Sequence, residues 1–178
     1  MAAPTASRLA WVGGYLRVEI ETWPGIGDYE VIHKHDAVAV VPVTPDGEVV
    51  LVRQFRPPVR DALVEVPAGL LDIDGEDALT CAERELFEET GFRSRGAAFL
   101  GGTYLSPGFT DEYMHLFWTW TDAGADGSPE DGIEVVRMPL HRAIASAREG
   151  KVRNATSALA LLLAAAVPAL RDVAASPP

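Results

Sequence analysis

Residues Arg84–Phe92 read RELFEETGF and place three glutamates, Glu85, Glu88 and Glu89, within five positions. The apolar residues in and before this stretch recur at spacings of three and four, which predicts an amphipathic helix that ends at Gly91. At about 100° per residue, Glu88 lies about 60° to one side of Glu85 and Glu89 about 40° to the other. Crowded like charges near a helix C-terminus are unfavourable in a purely structural helix. The pattern therefore favours a divalent-cation site over a solvated face, because Mg²⁺ prefers oxygen ligands.

The composition narrows the class of protein. The chain has 178 residues and a formal net charge of −11, which argues against sequence-independent nucleic-acid binding. Its one cysteine, Cys81, excludes an internal disulfide and suggests no cysteine zinc site. The most apolar run, Ala158–Val167, is about half a membrane span and is better explained as a buried helix. Because the N-terminus also lacks a signal-peptide pattern, we expect a cytoplasmic protein with no membrane partner.

The remaining sequence predicts a mixture of strands and helices. Ala37–Val43 is almost wholly apolar and β-branched, which is typical of a strand covered on both faces. The acidic, glycine-containing stretch 122–132 predicts a mobile loop. This mixture indicates an α/β or α+β fold with a mixed sheet. Strands are predicted at Tyr15–Ile20, Ala37–Val43, Glu48–Phe55, Leu63–Val66, Ala97–Tyr104, Tyr113–Trp120 and Ile133–Met138, and helices at Glu76–Glu89, Leu140–Arg148 and Ala155–Arg171.

The acidic stretch resembles the Nudix box. That motif usually reads as a glycine, five residues, a glutamate, seven residues, and then R-E-apolar-x-E-E-x-G-apolar; here Glu76 and Arg84–Phe92 match it. Gly69 is separated from Glu76 by six residues rather than five, and the extra residue falls in the loop LLDIDG, where an insertion is tolerated. The resemblance implies a Nudix-type α/β/α sandwich over residues 37–178, preceded by a small antiparallel strand segment over residues 1–36.

The same resemblance implies a metal-dependent hydrolase. In such proteins the box glutamates bind Mg²⁺ or Mn²⁺, which assigns Glu85, Glu88 and Glu89 as metal ligands. The main-chain carbonyl of Ala68 is expected as a further ligand, and Arg84 is expected to orient a carboxylate through charge-assisted hydrogen bonds. The implied chemistry is water attack on a diphosphate, with Glu89 and Arg84 among the catalytic residues.

Two further stretches of sequence narrow the range of possible substrates. Leu51–Val59 and the sequence SPGFTDE at Ser106–Glu112 are similar to segments of the ADP-ribose pyrophosphatase subfamily. The resemblance implies hydrolysis of ADP-ribose to AMP and ribose 5-phosphate. The expected substrate-binding residues are Arg56, Glu112, Pro107 and Gly108.

The sequence narrows the general base to three candidate residues and does not settle which of them it is. In related enzymes it is a glutamate on the loop before the last strand, and here the sequence PEDGIEV offers Glu130, Asp131 and Glu134. Glu130 is the first choice because it lies in the loop, whereas Glu134 falls in strand-like sequence. A solvated loop acid remains the alternative for each of the three.

The N-terminal segment is expected to contribute to a homodimer. Members of the subfamily commonly exchange N-terminal strands, and Trp11–His33 is strand-like. Its aromatic residues are candidates for stacking on adenine, although packing is the commoner role: Trp11, Trp23 and Tyr29. The segment departs from the usual pattern at Tyr29-Glu30 and at His33–Asp36, which leaves its contacts with the substrate open.

Two other functions are consistent with the motif. One is the same chemistry on another nucleotide sugar or dinucleotide. The other is a non-catalytic ADP-ribose sensor. Because the chain keeps every acidic residue of the box and has no basic helix-turn-helix extension, the sequence favours an enzyme.

Overall fold

Ten strands and four α-helices are present in the computed structural model, which describes residues 3–174. The strands are β1 (Ala6–Val12), β2 (Leu16–Trp23), β3 (Gly27–Lys34), β4 (Ala37–Val43), β5 (Glu48–Arg56), β6 (Asp61–Glu65), β7 (Ala68–Leu70), β8 (Ala98–Tyr104), β9 (Tyr113–Trp120) and β10 (Glu134–Pro139). The helices are α1 (Ala78–Thr90), α2 (Leu140–Arg148), α3 (Ala155–Ala164) and α4 (Arg171–Ala174).

The central sheet is built around β4, in which every residue is buried. The strand order is β10-β5-β4-β9-β8, with β6 paired to β5 and β7 paired to β4. β4 and β9 run parallel, while β5 and β7 run antiparallel to β4. The predicted mixed sheet is therefore confirmed, and the apolar stretch 37–43 forms its interior because both of its faces are covered.

Helices cover the two faces of this sheet. On one face Val38 and Val40 of β4 pack with Leu86 of α1. On the other face Val41 belongs to the core cluster that contains Ile144 of α2, together with buried residues of α3. Alternate residues of β4 point to opposite faces of the sheet, so one strand contributes to both cores. The three layers confirm the predicted α/β/α architecture.

A small antiparallel sheet precedes this sandwich. Its strand order is β1-β2-β3, and β3 contacts the loop between β8 and β9. The Ile32 N–H donates to the carbonyl of Phe109 at 2.7 Å, and the Tyr29 hydroxyl donates to the carbonyl of Gly108 at 2.6 Å. The small N-terminal sheet agrees with the predicted fold class, while the division into units at residue 36 stays a prediction.

The box helix starts two residues later than predicted, at Ala78 rather than Glu76, and continues one residue further, to Thr90, before the predicted stop at Gly91. Asp77 caps its N-terminus, since the Asp77 side chain accepts hydrogen bonds from the N–H groups of Leu79 and Thr80. Gly91 ends the helix with a φ of 73°, a left-handed conformation that glycine adopts without steric cost. Glu76 therefore lies outside the helix, and its carboxylate is available to Arg84.

One predicted helix is wrong in length. The stretch Ala155–Arg171 forms α3 and then, after a break, a 3₁₀ turn at Pro168–Leu170 and the short helix α4. Pro168 has no N–H to donate to a preceding turn, so the apolar sequence cannot continue as one helix. Among residues 3–174 no single helix is long and apolar enough to cross a membrane; α3 and Pro168–Ala174 meet that test only as a pair bent by 85°.

Candidate active site

Arg84 joins the carboxylates of the box into one network. Its Nε and Nη2 atoms each donate to one oxygen of Glu76 at 2.9 Å. Its Nη1 atom donates to Glu85 at 2.7 Å and to Glu88 at 2.9 Å. Because the guanidinium group is planar and forms a fixed fork, these bonds orient Glu85 and Glu88 relative to the loop that carries Glu76. The structure thus brings together four residues that the motif predicts as a unit.

Strand β7 brings two further residues against α1. The Ala68 N–H donates to Glu89 Oε2 at 3.0 Å. Gly69 lies against Glu85, since a Cβ atom at Gly69 would be 1.9 Å from the Glu85 carboxyl carbon. A glycine is needed here for this close approach. The additional residue between Gly69 and Glu76 is accommodated in the loop 71–77, which leaves both contacts in place.

The buried box carboxylates carry negative charge at an energetic cost. Burial raises the pKa of Glu89 to about 7, and repulsion from Glu85 and Glu130 acts in the same direction. Burial also raises the pKa of Glu85, with repulsion from Glu88 and Glu130 added to it, against the stabilising hydrogen bond from Arg84. Poorly solvated carboxylates that repel one another are stabilised by a bound cation.

This arrangement fits a magnesium or manganese ion. The side chains of Glu85, Glu88 and Glu89 supply carboxylate oxygens, the ligand type that Mg²⁺ prefers. Glu89 is 6% exposed and accepts a single main-chain hydrogen bond in the region described, so its remaining lone pairs are available to a metal. Because burial raises the pKa of Glu89, a cation bound beside it would stabilise its ionised form.

A cleft beside the box contains two partly buried ion pairs. It has a volume of about 340 Å³, and its walls include Ala68 and Gly69. Arg56 donates to both oxygens of Glu65 at 3.0 and 2.6 Å, and hydrogen bonds to Glu65 raise the pKa of Arg56. The cleft is also lined by residues from three other segments: Lys34, Glu112, Asn154 and Thr156.

The second ion pair links the cleft to the N-terminal sheet. Lys34 Nζ lies 2.6 Å from Glu112 Oε1, and the side chain of Glu112 is 10% exposed. Arg56 and Glu112, both predicted to bind substrate, therefore line one cavity. Sequence reasoning did not single out Glu65 or Lys34 as site residues. The signal for Glu65 is a charged residue that follows the apolar run Ala62–Val64, whereas Lys34 is recognisable only from its contact with Glu112.

Pro107 and Gly108 lie apart from this cleft. Pro107 lines a larger cavity of about 620 Å³, between the N-terminal sheet and the loop 105–112. Gly108 accepts the hydrogen bond from Tyr29 through its carbonyl. The walls of the larger cavity include four aromatic side chains: Trp23, Tyr29, Tyr104 and Phe109. Two of the three aromatics considered for stacking are thus close together, while Trp11 is 55% exposed on β1.

The three candidate bases occupy different positions on the loop before β10. The Glu130 N–H donates to the main-chain carbonyl of Glu88 at 3.1 Å, so the loop folds back on α1. The Glu130 charge contributes, after burial, to the raised pKa of Glu85 and Glu89. Glu134 lies on β10 and pairs with Arg53 at 3.3 Å, and Asp131 is exposed. Of the three, Glu130 has the clearest electrostatic contact with the box.

Comparisons with known proteins agree with this geometry. The NUDIX domain family matches residues 33–159. An ADP-ribose pyrophosphatase of Bacillus subtilis (strain 168) is 34% identical over 136 residues, which cover 74% of this chain and 73% of the relative. A methanol dehydrogenase activator of Bacillus methanolicus is 33% identical over 136 residues, with the same coverage of each chain. A GDP-mannose pyrophosphatase of Cronobacter sakazakii (strain ATCC BAA-894) is 39% identical over 124 residues, or 64% of each chain. The box on α1, the three-layer fold and these matches together show that the chain belongs to the Nudix family of hydrolases.

Proposed function

We propose that this Nudix hydrolase cleaves ADP-ribose to AMP and ribose 5-phosphate. The observation that carries the chemistry is that Glu85 and Glu89 of the box lie against Ala68 and Gly69 of β7 beside a polar cleft, while Arg84 holds Glu88 next to Glu85. The sequence SPGFTDE supports the substrate because it places Glu112 in that cleft. The similarity to the Bacillus subtilis ADP-ribose pyrophosphatase supports the same choice.

Nudix hydrolases generally use divalent metal ions, and the residues of this site fit Mg²⁺ or Mn²⁺. Glu85, Glu88 and Glu89 would hold the ions, with the carbonyl of Ala68 as a further ligand. When bound, such ions neutralise the diphosphate and lower the pKa of a coordinated water. Arg84 fixes the orientation of Glu85 and Glu88 through the hydrogen bonds described above.

The other residues of the site bind and orient the substrate. Arg56 has N–H donors beyond the two that bind Glu65, and a guanidinium group suits a phosphate or ribose oxygen. Glu112 accepts from Lys34 and can accept a ribose hydroxyl with its remaining lone pairs. Pro107 and Gly108 shape the loop that carries Glu112. Glu130 is the proposed general base, because its loop contacts α1 directly beside the box.

A second substrate is supported by one of the relatives. The GDP-mannose pyrophosphatase of Cronobacter sakazakii is the most identical of the three relatives, although it covers less of the chain. Both substrates contain a nucleoside diphosphate joined to a sugar, and both would place a diphosphate at the box. The difference lies in the base and in the terminal sugar.

Turnover of a substrate panel tests the proposal. Purified protein with Mg²⁺ is assayed on ADP-ribose, GDP-mannose, ADP-glucose and a dinucleotide, and kcat/KM is compared. We expect ADP-ribose to give the highest value, with AMP and ribose 5-phosphate as products. If GDP-mannose exceeds ADP-ribose, the second candidate replaces the first. Hydrolysis that persists unchanged after chelation of all divalent ions would contradict the metal assignment.

Variants of the loop before β10 test the general base. A positioned base contributes about 10²–10⁴-fold to a rate. Glu130→Gln is therefore expected to lower kcat by that factor, while Asp131→Asn and Glu134→Gln, matched changes in the same segment, lower it less than threefold. A larger loss in either control than in Glu130→Gln would transfer the role to that residue.

We also propose that the protein is a homodimer formed through the N-terminal sheet. β1 is an edge strand, and its large apolar side chains are exposed: Leu9 59%, Trp11 55% and Val12 62%. Exposed apolar side chains on an unpaired strand edge favour association with another chain. Light scattering after gel filtration should give the mass of two chains, and Trp11→Glu should give the mass of one. A wild-type protein that is monomeric at micromolar concentration would contradict the proposal.

A further inference from the structure

A second cluster of potential metal ligands lies outside the Nudix box, on the N-terminal sheet. His33 of β3 is paired with Arg17 of β2, which places its side chain on the same face of the sheet as Glu19 and Glu21. One ligand atom from each of His33, Glu19 and Glu21 lies within 4.8 Å of the other two. All three side chains are partly buried, at 16%, 23% and 12% exposure respectively.

The imidazole of His33 has one nitrogen bonded and one nitrogen without a hydrogen bond. Nδ1 lies 2.5 Å from Asp111 Oδ2, and because a carboxylate accepts, Nδ1 carries the proton of this bond. Nε2 is buried and has no hydrogen-bond partner within residues 3–174. The carboxylate oxygen Oε1 of Glu21 lies 3.7 Å from Nε2, beyond hydrogen-bond distance. A buried polar atom without a partner costs free energy, which a bound ligand removes.

The two glutamates are already oriented by neighbouring donors. The Trp23 indole N–H donates to Glu21 Oε2 at 2.9 Å. The Ser7 hydroxyl donates to Glu19 Oε2 at 2.5 Å, and Arg17 Nε donates to Glu19 Oε1 at 2.8 Å. These bonds fix the carboxylates and leave further lone pairs on each oxygen.

The charges of this region favour a divalent cation. Glu19, Glu21 and Asp111 carry three negative charges, and Arg17 carries one positive charge, when the imidazole of His33 is neutral. One divalent ion would balance the resulting charge of −2. An imidazole nitrogen with two carboxylates is a ligand set typical of zinc, whereas Mg²⁺ prefers oxygen ligands alone.

We propose that His33 Nε2, Glu19 and Glu21 form a zinc site that is separate from the metal site of the Nudix box. Zinc at about 2.1 Å from tetrahedral ligands separates those ligands by roughly 3.4 Å, and the distance of 3.7 Å between His33 and Glu21 is close to this. Glu21 and His33 also line the cavity of about 620 Å³, so a fourth position is accessible to water. Asp111 is the outer partner that holds the imidazole, an arrangement common for metal-bound histidine.

The site would fasten the N-terminal sheet to the loop that enters the active site. Asp111 comes from the loop 105–112, and its neighbour Glu112 lines the catalytic cleft. The Asp111 carboxylate also accepts from the Lys34 N–H at 3.2 Å. A metal on His33 therefore strengthens a connection that already sets the position of Glu112.

Zinc binding in excess Mg²⁺ tests this proposal. Mg²⁺ occupies the all-oxygen box, and equilibrium dialysis with metal analysis then counts the zinc bound per chain. We expect one zinc ion in the wild type, in Glu89→Gln and in His35→Gln, which alters an exposed histidine two residues away. His33→Gln and Glu21→Gln should lose this ion, and Asp111→Asn should bind it about 10–100-fold more weakly.

The variants also separate metal binding from folding. Far-UV circular dichroism of His33→Gln should match that of the wild type, and Glu21→Gln provides a second ligand variant if it does not. A wild type that binds no zinc under these conditions would show that His33 is an ion-pair partner of Glu21 and Asp111 only, and would overturn the proposal. Unchanged binding in both His33→Gln and Glu21→Gln would overturn it as well.

Discussion

Glu89 is buried, although the metal-binding role proposed for it requires a charged carboxylate. Burial raises its pKa to about 7, above the ordinary value of 4.5, so the folded protein loses stability as the pH rises from about 4.5 to about 7, the range in which this carboxyl ionises more readily in the unfolded chain. A residue retained at such a cost is typical of a functional site. The same reasoning predicts opposite effects of one substitution on activity and on stability.

Glu89→Gln should lower turnover and leave the fold intact. Loss of an outer partner of a metal ligand costs about 10–100-fold, so loss of a ligand should lower kcat by at least about 100-fold. Without metal at pH 8, Tm of the variant should equal or exceed that of the wild type, because a buried charge is removed. Mg²⁺ should raise Tm of the wild type more than Tm of the variant. Near-normal turnover in Glu89→Gln would contradict the role of Glu89.

Gly69→Ala tests the close contact between β7 and the box. The new methyl group would overlap the Glu85 carboxyl group, so that side chain must move. We expect a loss of about 1–3 kcal/mol in the free energy of unfolding, measured with urea, together with weaker Mg²⁺ binding. Gly14→Ala is the matched control, since no atom lies within 4 Å of its new Cβ position. Equal effects of the two substitutions would contradict the steric argument.

At the scale of elements, the box is a junction between helix α1, strand β7 and the loop before the helix. Arg84 donates four hydrogen bonds to three glutamates and so connects this loop with two turns of α1. A lysine keeps the charge but lacks the planar fork that allows simultaneous contacts. We therefore expect a substitution of Arg84 to act through the loss of its hydrogen-bond geometry rather than through the loss of its charge.

Arg84→Lys should lower kcat/KM by about 10–100-fold through misplaced Glu85 and Glu88. The matched control is Arg95→Lys, because Arg95 forms an ion pair with Asp122 that is exposed to solvent. Exposed pairs contribute about 0–1 kcal/mol, so the control should retain its activity and Tm. An Arg84→Lys variant with the activity of Arg95→Lys would show that charge alone is sufficient.

At the scale of the whole molecule, the N-terminal sheet completes the cleft of the Nudix domain within one chain. Lys34, the last residue of β3, pairs with the buried Glu112 of the loop before β9. Ile32 and Tyr29, which also belong to β3, donate hydrogen bonds to the same loop and so help to hold it against the N-terminal sheet. Substrate binding is therefore expected to depend on a residue far from the box.

Lys34→Gln should raise KM for ADP-ribose with little change in kcat. A hydrogen bond to a charged group is worth about 1.5–3 kcal/mol, which corresponds to roughly 10–100-fold in KM. The matched control is Lys151→Gln, whose partner Glu149 is exposed. Steady-state kinetics distinguish the outcomes. A loss confined to kcat would contradict the proposed role of Glu112 in substrate binding.

Much of the fold could be predicted from the sequence because its signals are local. The apolar run of β4, the periodicity of α1 and the stop at Gly91 each depend on residues within a few positions of one another. The extent of the helix after Ala155 was wrong because the apolar composition favoured continuation, whereas the backbone of Pro168 prevents it. The shared face of the three glutamates also follows from local spacing on one helix, and the resemblance of this stretch to the Nudix box indicated the family.

The sequence by itself determined that three carboxylates share one helical face beside a glycine stop, and the resemblance of this stretch to the Nudix box indicated the family that the domain match shows. Only the tertiary structure decided which residues surround that face. Lys34 and Glu112 are 78 residues apart, as are His33 and Asp111, and no local pattern predicts either pair. The physical reason is that helix periodicity is set by backbone geometry over a few residues, whereas these ion pairs exist only because β3 packs against the loop 105–112.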